Sequence, residues 1–434
     1  MLSNFNIEDL PLPATLAVPL AADAQLHVRR GETLPAGAVL ATGTHSADCI
    51  APRAGTVSDF RRQPLANGND ALCVILQDLD DTPTPRLLPP LSATTLPQLL
   101  KRAGIVGLGG GAFPAWRKWR QQLRYFIANG LETETAAYND AALIADAGDN
   151  LIARVRTVAQ AFAATPLLAL PEDVTRVSRA NDDPMLRYLP AHYSLGNERI
   201  LVQHLCQLET PAMAVAADYG VVCFNIATVL AMAAAIDERM PLSDRVITVH
   251  DVDGGIHLLR VPLGTLLAEV RHYLKQNATA FIGGADEQQI AGDDAVITAA
   301  TTVIHWQADA PPRVAQACIR CGACEPVCPA ALAPQELYWL AQDSRLPEMQ
   351  AQRLTACLEC RRCDEVCPSN IGLTALFIQH KKQLAANATE AQLIHRRQQR
   401  FDRHEQRLAQ PVARFSAQAL KQRVAAMAKQ VSKK

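Results

Sequence analysis

The pattern of apolar and polar residues separates two structured regions in the middle of the chain. Between residues 100 and 240, strand-like apolar runs (YFIAN, LLAL, ILVQHL and GVVCFNI) alternate with a long helix-like run, AALIADAGDNLIARVRTVAQAFAA. This alternation predicts an α/β domain. Between residues 245 and 305, the pieces RVITVHDV, GIHLLRVPLG and DAVITAATTVIHW surround one helix-like run, TLLAEVRHYL. This second pattern predicts a small α+β module.

The segment before these regions has the composition of a small β module. Residues 28–80 are rich in β-branched residues, Gly and Pro, and the stretches GETLPAGAVLA and IAPRAGTV resemble the paired turns of a lipoyl-type barrel-sandwich module. Such a module usually carries a modified lysine, whereas the first lysine of this chain is Lys101. We therefore expect a structural role for the module, without lipoylation.

The longest uncharged apolar stretch, YGVVCFNIATVLAMAAAI (219–236), is just long enough to suggest a membrane span. It contains Asn225 and begins with a β-branched run, which favours a buried strand leading into a buried helix. The first 20 residues carry Glu8, Asp9 and three prolines, and they lack the basic region of a secretory signal. We expect no transmembrane segment.

Composition and charge narrow the class of function. The 434 residues suggest about three domains, and the hydrophobic fraction of 49% and charged fraction of 20% are typical of globular proteins. A net charge of −1 predicts no nucleic-acid partner. The charge is uneven, because residues 381–434 hold 13 Lys and Arg against 3 Asp and Glu. This tail predicts a helix broken at Pro411, which is either solvated or docked on a partner or an acidic surface.

Eight of the 12 cysteines form two runs with the same spacing. CIRCGACEPVCP and CLECRRCDEVCP both read C-x2-C-x2-C-x3-C-P, in which three close thiolates bind one cubane and the fourth binds the other. The spacing predicts two [4Fe–4S] clusters. Their ligands are Cys318, Cys321, Cys324 and Cys367 for the first, and Cys357, Cys360, Cys363 and Cys328 for the second.

Structural zinc is the alternative for such motifs. Zinc needs four ligands in two pairs and has no use for a third cysteine at the same spacing, so the runs favour iron–sulfur clusters. The remaining cysteines stand alone in apolar or strand-like settings and are expected to be buried free thiols. These are Cys49, Cys73, Cys206 and Cys223.

A glycine-rich loop, GIVGLGGGAFPAWRKW (104–119), precedes an acidic segment, NGLETETAAYND. The loop is neither a P-loop nor a Rossmann fingerprint in register. It predicts a turn into a helix that begins near Pro114, with backbone N–H groups available to an anion. The acidic segment follows an apolar strand, where α/β folds bind ligands, although a solvated loop would have the same composition.

Taken together, these motifs resemble RnfC, the peripheral subunit of the Rnf (Rsx) ion-translocating electron-transport complex, and more distantly the flavoprotein subunit of respiratory complex I. The resemblance covers roughly residues 28–385. It also rests on YSLGNERILVQHL, DYGVVCFNIAT, RVITV, CPAALAPQELYWL and CPSNIGL. A cobalamin-reductase-like relative would share the same modules, but CPAALAPQELYWL is more similar to RnfC.

The patterns and the resemblance together imply a multidomain α/β and α+β protein of five parts. The parts are a barrel-sandwich-like module (1–95), a complex-I-flavoprotein-like FMN/NADH-type α/β domain (96–240), a small β-grasp-like (SLBB) module (241–308), a two-cluster ferredoxin-like α-helical domain (309–382) and a basic helical tail (383–434).

The resemblance also implies the cofactor site. In the family, the glycine loop and its lysine bind FMN and NADH, which implies roles for Gly107, Gly109, Gly110 and Lys118. The acidic segment lines the flavin and nicotinamide site, which implies roles for Asn129, Glu132, Glu134 and Asp140. Two later motifs add Tyr193, Gly196, Glu198 and Asn225. No side chain is expected to act as a catalytic acid or base.

The chain departs from the family pattern around this site. A glycine of the loop is Ala112, a threonine is Ala115, and a proline of the acidic segment is Thr135. A second glycine is Asn197 and a third is Ala227. Each lost glycine adds a Cβ, which disfavours a positive φ and hinders a close approach to a ligand.

The expected function is electron input to a membrane-bound, ion-translocating oxidoreductase complex. NADH reduces FMN, and two [4Fe–4S] clusters pass electrons to membrane and iron–sulfur partners, at the cytoplasmic face of the bacterial inner membrane. The alternative is a relay or scaffold subunit with a degenerate flavin site, which exchanges electrons with ferredoxin through its clusters alone.

Overall fold

We describe the protein from a computed structural model, which covers residues 6–81, 86–173, 183–191, 193–211, 214–283, 289–307, 315–409 and 421–422. The predicted boundary between residues 308 and 309 and the predicted helix break at Pro411 lie outside these residues. The chain forms two compact units. One contains Met1–Glu336 and Thr355–Thr374, and the other contains Leu337–Leu354 and Ala375–Lys434.

The first unit begins with a series of β-strands. They are β1 (Ile7–Asp9), β2 (Thr15–Pro19), β3 (Ala24–Leu26), β4 (Thr33–Leu34), β5 (Val39–Gly43), β6 (Cys49–Ile50), β7 (Ala54–Pro64) and β8 (Asp70–Asp80). Two antiparallel sheets, β2-β8-β7-β4 and β3-β5-β6, supply one apolar core that includes Leu16, Leu40, Val57 and Leu76. This turn-rich segment folds into a β module, as predicted.

The α/β domain follows. Its elements are α1 (Leu96–Arg102), β9 (Tyr125–Asn129), α2 (Asn139–Ala147), α3 (Asn150–Ala161), β10 (Thr165–Pro171), β11 (Leu186–Leu189), α4 (Glu198–Cys206), β12 (Val221–Asn225) and α5 (Ile226–Ala233). The strands form a parallel sheet in the order β11-β10-β9-β12. Parallel strands covered by helices account for the continuous apolar runs of β9, β10 and β12. The stretch 219–236 is a strand leading into a helix, as predicted.

Three local predictions differ from the structure. The run ILVQHL is not a strand but the body of α4, because Asn197 caps its N-terminus by accepting from Arg199 N at 3.0 Å. The long helical run is two helices, since Gly148 has a φ of +50° and breaks it. The helix expected near Pro114 is a single 3-10 turn, Ala115–Lys118.

The small α+β module contains β13 (Asp244–His250), β14 (Ile256–Pro262), α6 (Leu267–Leu274), β15 (Thr279–Ile282), β16 (Gln289–Ala291) and β17 (Val303–Gln307). Its sheet has the order β1-β14-β13-β17-β15-β16. Strand β1 pairs in parallel with β14, Ile7 opposite Leu258, so the start of the chain completes this sheet. Of the predicted β-like piece DAVITAATTVIHW, the last part forms β17.

The described part of the cysteine region and tail, residues 315–409, is mainly helical. Its helices are α7 (Pro334–Gln342), α8 (Leu346–Ala351), α9 (Arg362–Glu365) and α10 (Leu373–Ala409). Both cysteine runs belong to the first unit, whereas most of α10 belongs to the second. Among the described residues, none of the helices combines the length and the apolar character that a bilayer crossing requires.

Candidate functional site

The predicted site lies at one edge of the parallel sheet. Strands β9 and β12 are neighbours, and their last residues, Asn129 and Asn225, are register partners. The carboxyl ends of parallel strands are where open α/β sheets bind ligands. The glycine loop and the acidic segment both meet this edge, so the structure brings together motifs that lie far apart in the sequence.

The glycine loop is a tight turn held by its own backbone. Gly107 N donates to Phe113 O at 2.8 Å, and Ala112 N donates to Gly107 O at 3.0 Å. A Cβ added at Gly109 would lie 3.2 Å from Cβ of Asn225, and one added at Gly110 would lie 3.1 Å from Oε1 of Glu134. The two glycines therefore allow the loop to approach the end of β12 and the acidic segment closely.

The acidic segment is held by buried hydrogen bonds. Oε1 of Glu132 accepts from Asp140 N at 2.8 Å and from Ala141 N at 3.1 Å, at the start of α2. Oδ2 of Asp140 accepts from Nδ2 of Asn225 at 2.5 Å. Burial raises the pKa of Asp140, and burial together with the nearby Asp140 raises the pKa of Glu132. These carboxyl groups therefore hold protons more tightly than exposed ones do.

Sequence reasoning missed two residues that face these carboxyl groups. Arg245, in β13, is only 3% exposed, and its Nε donates to Thr301 O at 2.7 Å. Burial lowers its pKa to about 10, although the negative charges of Asp140, Glu134 and Glu132 act to raise it. Oγ1 of Thr302 donates to Oε2 of Glu134 at 2.5 Å. A charged residue opening the apolar run RVITV was the signal that could have identified Arg245.

Lys118 and Glu198 form a second part of the site. The Lys118 ammonium pairs with the Glu198 carboxylate, donates to Cys223 O at 2.9 Å and lies 5.2 Å from the ring centre of Phe224. The predicted cation is thus present at the edge of the sheet, where a carboxylate and a carbonyl already hold it.

Asn129 and Gly196 join the acidic segment to the turn before α4. Nδ2 of Asn129 donates to Gly196 O at 2.8 Å, and its Oδ1 accepts from Leu131 N at 3.1 Å. A Cβ at Gly196 would lie 2.6 Å from Glu132 O, so this position accepts only glycine without a shift of the backbone. Tyr193 begins the same 3-10 turn, Tyr193–Gly196. The Asn129 side chain and the absence of a Cβ at Gly196 therefore hold the backbone of the acidic segment close to the turn before α4.

The departures from the family pattern have separate consequences. Ala112 has a φ of +44°, so an alanine occupies a left-handed position that suits glycine. Ala227 N donates to Oδ1 of Asn225 at 3.0 Å, so Ala227 keeps the cap of α5. Asn197 caps α4, and its Nδ2 also donates to Leu358 O at 3.2 Å, within the second cysteine run. Ala115 is fully buried.

A cavity of about 490 Å³ adjoins the site. Leu108 and Ala227 line one part of it and Arg245 another, beside residues of α2, α3 and α5. Two of its arginines are already paired, Arg154 with Glu238 at 2.8 Å and Arg260 with Asp146 at 3.5 Å. The volume is within the range of small-molecule sites.

The residues present fit a flavin mononucleotide. Such a ligand needs a backbone that approaches it without side chains and a cation that offsets its phosphate. A Cβ at Gly111 would meet nothing within 4 Å, so the loop is open at that point, and Lys118 is the nearby cation. Gly107, Gly109, Gly110 and Lys118 would hold the phosphate and ring, and the acidic segment would line the nicotinamide side.

The loop strain at Ala112 leads to a first prediction. We expect Ala112→Gly to raise the free energy of unfolding by about 0.5–1 kcal/mol, because glycine adopts a positive φ without the Cβ clash. We also expect it to tighten FMN binding, since the loop relaxes. Urea unfolding and a flavin titration would measure the two effects.

Gly111→Ala is the matched control for Ala112→Gly. Its φ is outside the left-handed region and an added Cβ has open space, so we expect unfolding to change by less than about 0.5 kcal/mol. Equal effects of the two changes on stability would show that the φ of residue 112 is not strained in solution.

The two cysteine runs have the same backbone conformation. Arg320 and Glu359, at equivalent positions, have φ of +57° and +58°, and Ala331 and Asn370 have +48° and +50°. Equivalent hydrogen bonds follow, since Cys328 N donates to Glu325 O, and Cys367 N donates to Asp364 O, each at 3.1 Å. The runs are therefore a structural repeat, although their intervening residues differ.

The thiols lie in two neighbourhoods. Cys324 interacts electrostatically with Cys321 and Cys318, and Cys363 does so with Cys357 and Cys360. Burial raises the pKa of Cys360, and Cys328 of the other run raises it further. Cys328 therefore acts on Cys360 across the two runs, while the crossed set of ligands stays a prediction.

Ligation of a cubane differs from ligation of a single metal ion. Within the described ranges, no group of three or more His, Cys, Asp or Glu side chains has the geometry to hold one metal ion. A [4Fe–4S] cluster takes one thiolate at each iron, so its ligands surround a cluster and do not converge on a point. The cysteines outside the runs are free thiols, with Cys73 and Cys223 buried and Cys49 and Cys206 half-buried.

Fold and site together define a class: a protein that joins a flavin-type α/β domain to a two-cluster iron–sulfur segment. Residues 100–234 match the Nuo51 FMN-binding domain, and residues 314–371 match the 4Fe-4S dicluster domain. FMN and [4Fe–4S] clusters, the cofactors expected from the sequence, are supported by these matches. The chain belongs to the RnfC family of the ion-translocating oxidoreductase complexes, as its motifs predicted.

The relatives differ in how much of their length the chain covers. The RnfC protein of Rhodobacter capsulatus is 30% identical over 77% of this chain and 71% of its own length. The proteins of Edwardsiella ictaluri (30% identical) and Pasteurella multocida (32% identical) match over 92% and 75% of this chain, but over 54% and 41% of their own lengths. The chain thus spans about half the length of several curated relatives that it matches. A NAD+-reducing [NiFe]-hydrogenase structure superposes with a TM-score of 0.42 at 17% identity, covering 67% of this chain and 60% of that one.

Proposed function

We propose that this chain is the electron-input subunit of an Rnf-type complex, which takes electrons from NADH and delivers them to membrane and iron–sulfur partners at the cytoplasmic face of the inner membrane. When bound, FMN would accept a hydride and release single electrons, which [4Fe–4S] clusters accept one at a time. The role of the chain is to hold these groups in order and to set their surroundings.

The convergence of the loop, the acidic segment and Asn225 at one sheet edge carries this proposal. Gly109 and Gly110 lie against Asn225 and Glu134, and Asn225 is bonded to Asp140. A site that no longer binds a ligand would not require these close approaches. Lys118 would offset the flavin phosphate, while Glu132 and Glu134 would orient ribose or nicotinamide.

A hydrogen bond of the Asn197 side chain supports an order for the proposed electron transfer. Its side chain joins the start of α4, one residue from Glu198, to Leu358 O, one residue from Cys357. The α/β domain therefore contacts the second cysteine run directly. In the proposed path, Cys357, Cys360, Cys363 and Cys328 would hold the cluster nearer to the flavin site, and this cluster would accept electrons before the other one does.

Cofactor content and reduction by NADH test the proposal. We expect the protein, purified without oxygen and reconstituted, to hold one FMN and about eight irons, since two cubanes hold four each. NADH should bleach the flavin absorbance and then reduce the clusters. Eight irons without flavin would instead identify a relay subunit that exchanges electrons with ferredoxin.

The variant Lys118→Met tests where the flavin phosphate binds. We expect it to weaken FMN binding about tenfold or more, because it removes the half-buried cation beside Phe224 at the edge of the sheet. Arg117→Met is the matched control, since Arg117 is the exposed neighbour and should leave FMN binding unchanged. Equal effects of the two variants would contradict the proposed position of the phosphate.

A further inference from the structure

Helix α10 extends far beyond the part that is packed. All residues from 385 to 406 are exposed, and among them Leu393, Ile394 and Phe401 are 48%, 57% and 55% exposed. Large apolar side chains in water are unfavourable, by about 25 cal/mol for each Å². Residues 385–406 are not buried against any other part of the described chain, so tertiary contacts do not stabilise this part of the helix. This indicates that another surface covers one of its faces.

The sequence of this segment is sorted by face. With about 3.6 residues per turn, successive residues are rotated by about 100°. Over residues 391–406, one half of the helix surface carries every arginine and every large apolar residue: Leu393, Ile394, Arg396, Arg397, Arg400, Phe401, Arg403 and His404. The opposite half carries four glutamines, both acidic residues, His395 and Ala391.

The hydrogen bonds fit this division. On the polar half, Nε2 of Gln398 donates to Oδ1 of Asp402 at 2.8 Å, and Gln399 bonds to His395 at 2.8 Å. The acidic Asp402 is therefore held among neutral side chains and points away from the arginine half. Over residues 391–406, cationic and apolar groups face one side and anionic groups face the other; Glu390, the residue before this stretch, lies on the same side as Ile394.

We propose that this half of α10, named the Arg/Phe face (residues 393–404), binds an anionic lipid surface. In such binding, Ile394 and Phe401 enter the boundary between headgroups and acyl chains, and the arginines contact lipid phosphates with their long stems along the surface. Each basic residue near an anionic bilayer adds about fivefold to binding. The proposal goes beyond the redox role and does not rest on it.

A bilayer suits this face better than an acidic protein surface does. Charge pairing alone would use the arginines and leave Leu393, Ile394 and Phe401 in water. The charges of the tail agree, because residues 381–434 carry 13 Lys and Arg against 3 Asp and Glu, while the whole chain has a net charge of −1. The basic tail of the chain therefore contains the apolar residues that are unpacked.

Vesicle sedimentation with the full chain tests the proposal. We expect binding to phosphatidylcholine vesicles that contain phosphatidylglycerol, little binding to phosphatidylcholine alone, and weaker binding as salt is raised. The fourfold variant R396Q/R397Q/R400Q/R403Q should lower binding about a hundredfold or more. The variant I394S/F401S should also lower it, which separates insertion from simple charge attraction.

The chain offers a matched control of equal charge. R29Q/R30Q/R61Q/R62Q removes four arginines outside the tail and should bind vesicles as the unchanged protein does. Circular dichroism would confirm that all variants keep their helix. NADH-dependent bleaching of the flavin, measured without vesicles, should be the same in the tail variants, so a failure here is distinct from a failure of the proposed function.

Three results would overturn the proposal. The first is equal binding to neutral and anionic vesicles, and the second is vesicle binding that the tail variants leave intact. The third is concentration-dependent self-association that the arginine variant abolishes, without any vesicle binding. That result would assign the Arg/Phe face to an acidic surface of a second copy.

Discussion

Arg245→Gln is expected to lower the free energy of unfolding by about 3–5 kcal/mol, the usual effect of removing one partner from a buried charged group. Arg245 is 3% exposed, and its charge acts on Asp140, Glu134 and Glu132. Without the guanidinium, these carboxyl groups lose their buried counter-charge. Urea unfolding of the full chain, followed by fluorescence, would measure the change.

The pH dependence of this loss separates an electrostatic role from a packing role. Burial already raises the pKa of Glu132 and Asp140, and loss of Arg245 would raise both further. The folded state then holds more protons than the unfolded state does, so stability falls as pH rises from the unfolded pKa towards the folded one. The destabilisation by Arg245→Gln should therefore be smaller at pH 5 than at pH 8.

Two further variants complete the Arg245 test. Arg245→Lys keeps the charge and should recover a large part of the stability. Arg154→Gln removes an arginine from an exposed pair with Glu238, whose side chains are 37% and 51% exposed, and should cost less than about 1 kcal/mol. An Arg245→Gln loss that is the same at both pH values would show that the arginine acts only through packing.

Cys328→Ser and Cys360→Ser are expected to remove the same iron–sulfur cluster, although the two residues belong to different runs. Each variant should lower the iron content from about eight to about four, because serine does not replace a thiolate in assembly of a cubane. The double variant should lose no more iron than either single one. Iron analysis and electron paramagnetic resonance of the reduced protein would measure this.

The repeat in the backbone extends the cysteine prediction. Cys367 and Cys321 stand where Cys328 and Cys360 stand in the other run, so their serine variants should remove the other cluster. Cys206→Ser, which changes a thiol outside the runs, should keep all the iron. If the iron losses of Cys328→Ser and Cys360→Ser add together, each run holds its own cluster and the crossed ligand set is wrong.

Local pattern predicted a large part of the fold. β9, β12, β13, β14 and α6 lie where apolar runs of the appropriate length placed them. The run ILVQHL has strand composition but forms α4, because the cap at Asn197 and the burial of Leu201 and Val202 on one side favour a helix. Short apolar runs are ambiguous between the two, since their conformation depends on which faces the rest of the chain covers.

The site was predicted unevenly for the same reason. Motif similarity pointed to Gly109, Glu132 and Asn225, but it gave no account of what holds them. The apolar run RVITV marks Arg245 as a charged residue beside a buried strand, but this strand belongs to another module, so the local sequence does not identify the acidic segment as its partner. Ala112 is the reverse case, since a lost glycine predicted a strained position and the structure has a φ of +44° there.

Spacing over a few residues was sufficient to predict the iron–sulfur clusters, most of the order of strands and helices, and the family. Which of these pieces meet depends on the tertiary fold. Asn225 reaches Asp140 across 85 residues, and Asn197 reaches Leu358 across 161. Such contacts arise from how the sheet and modules pack, and the energy of a buried charge or a close backbone approach exists only once that packing has formed.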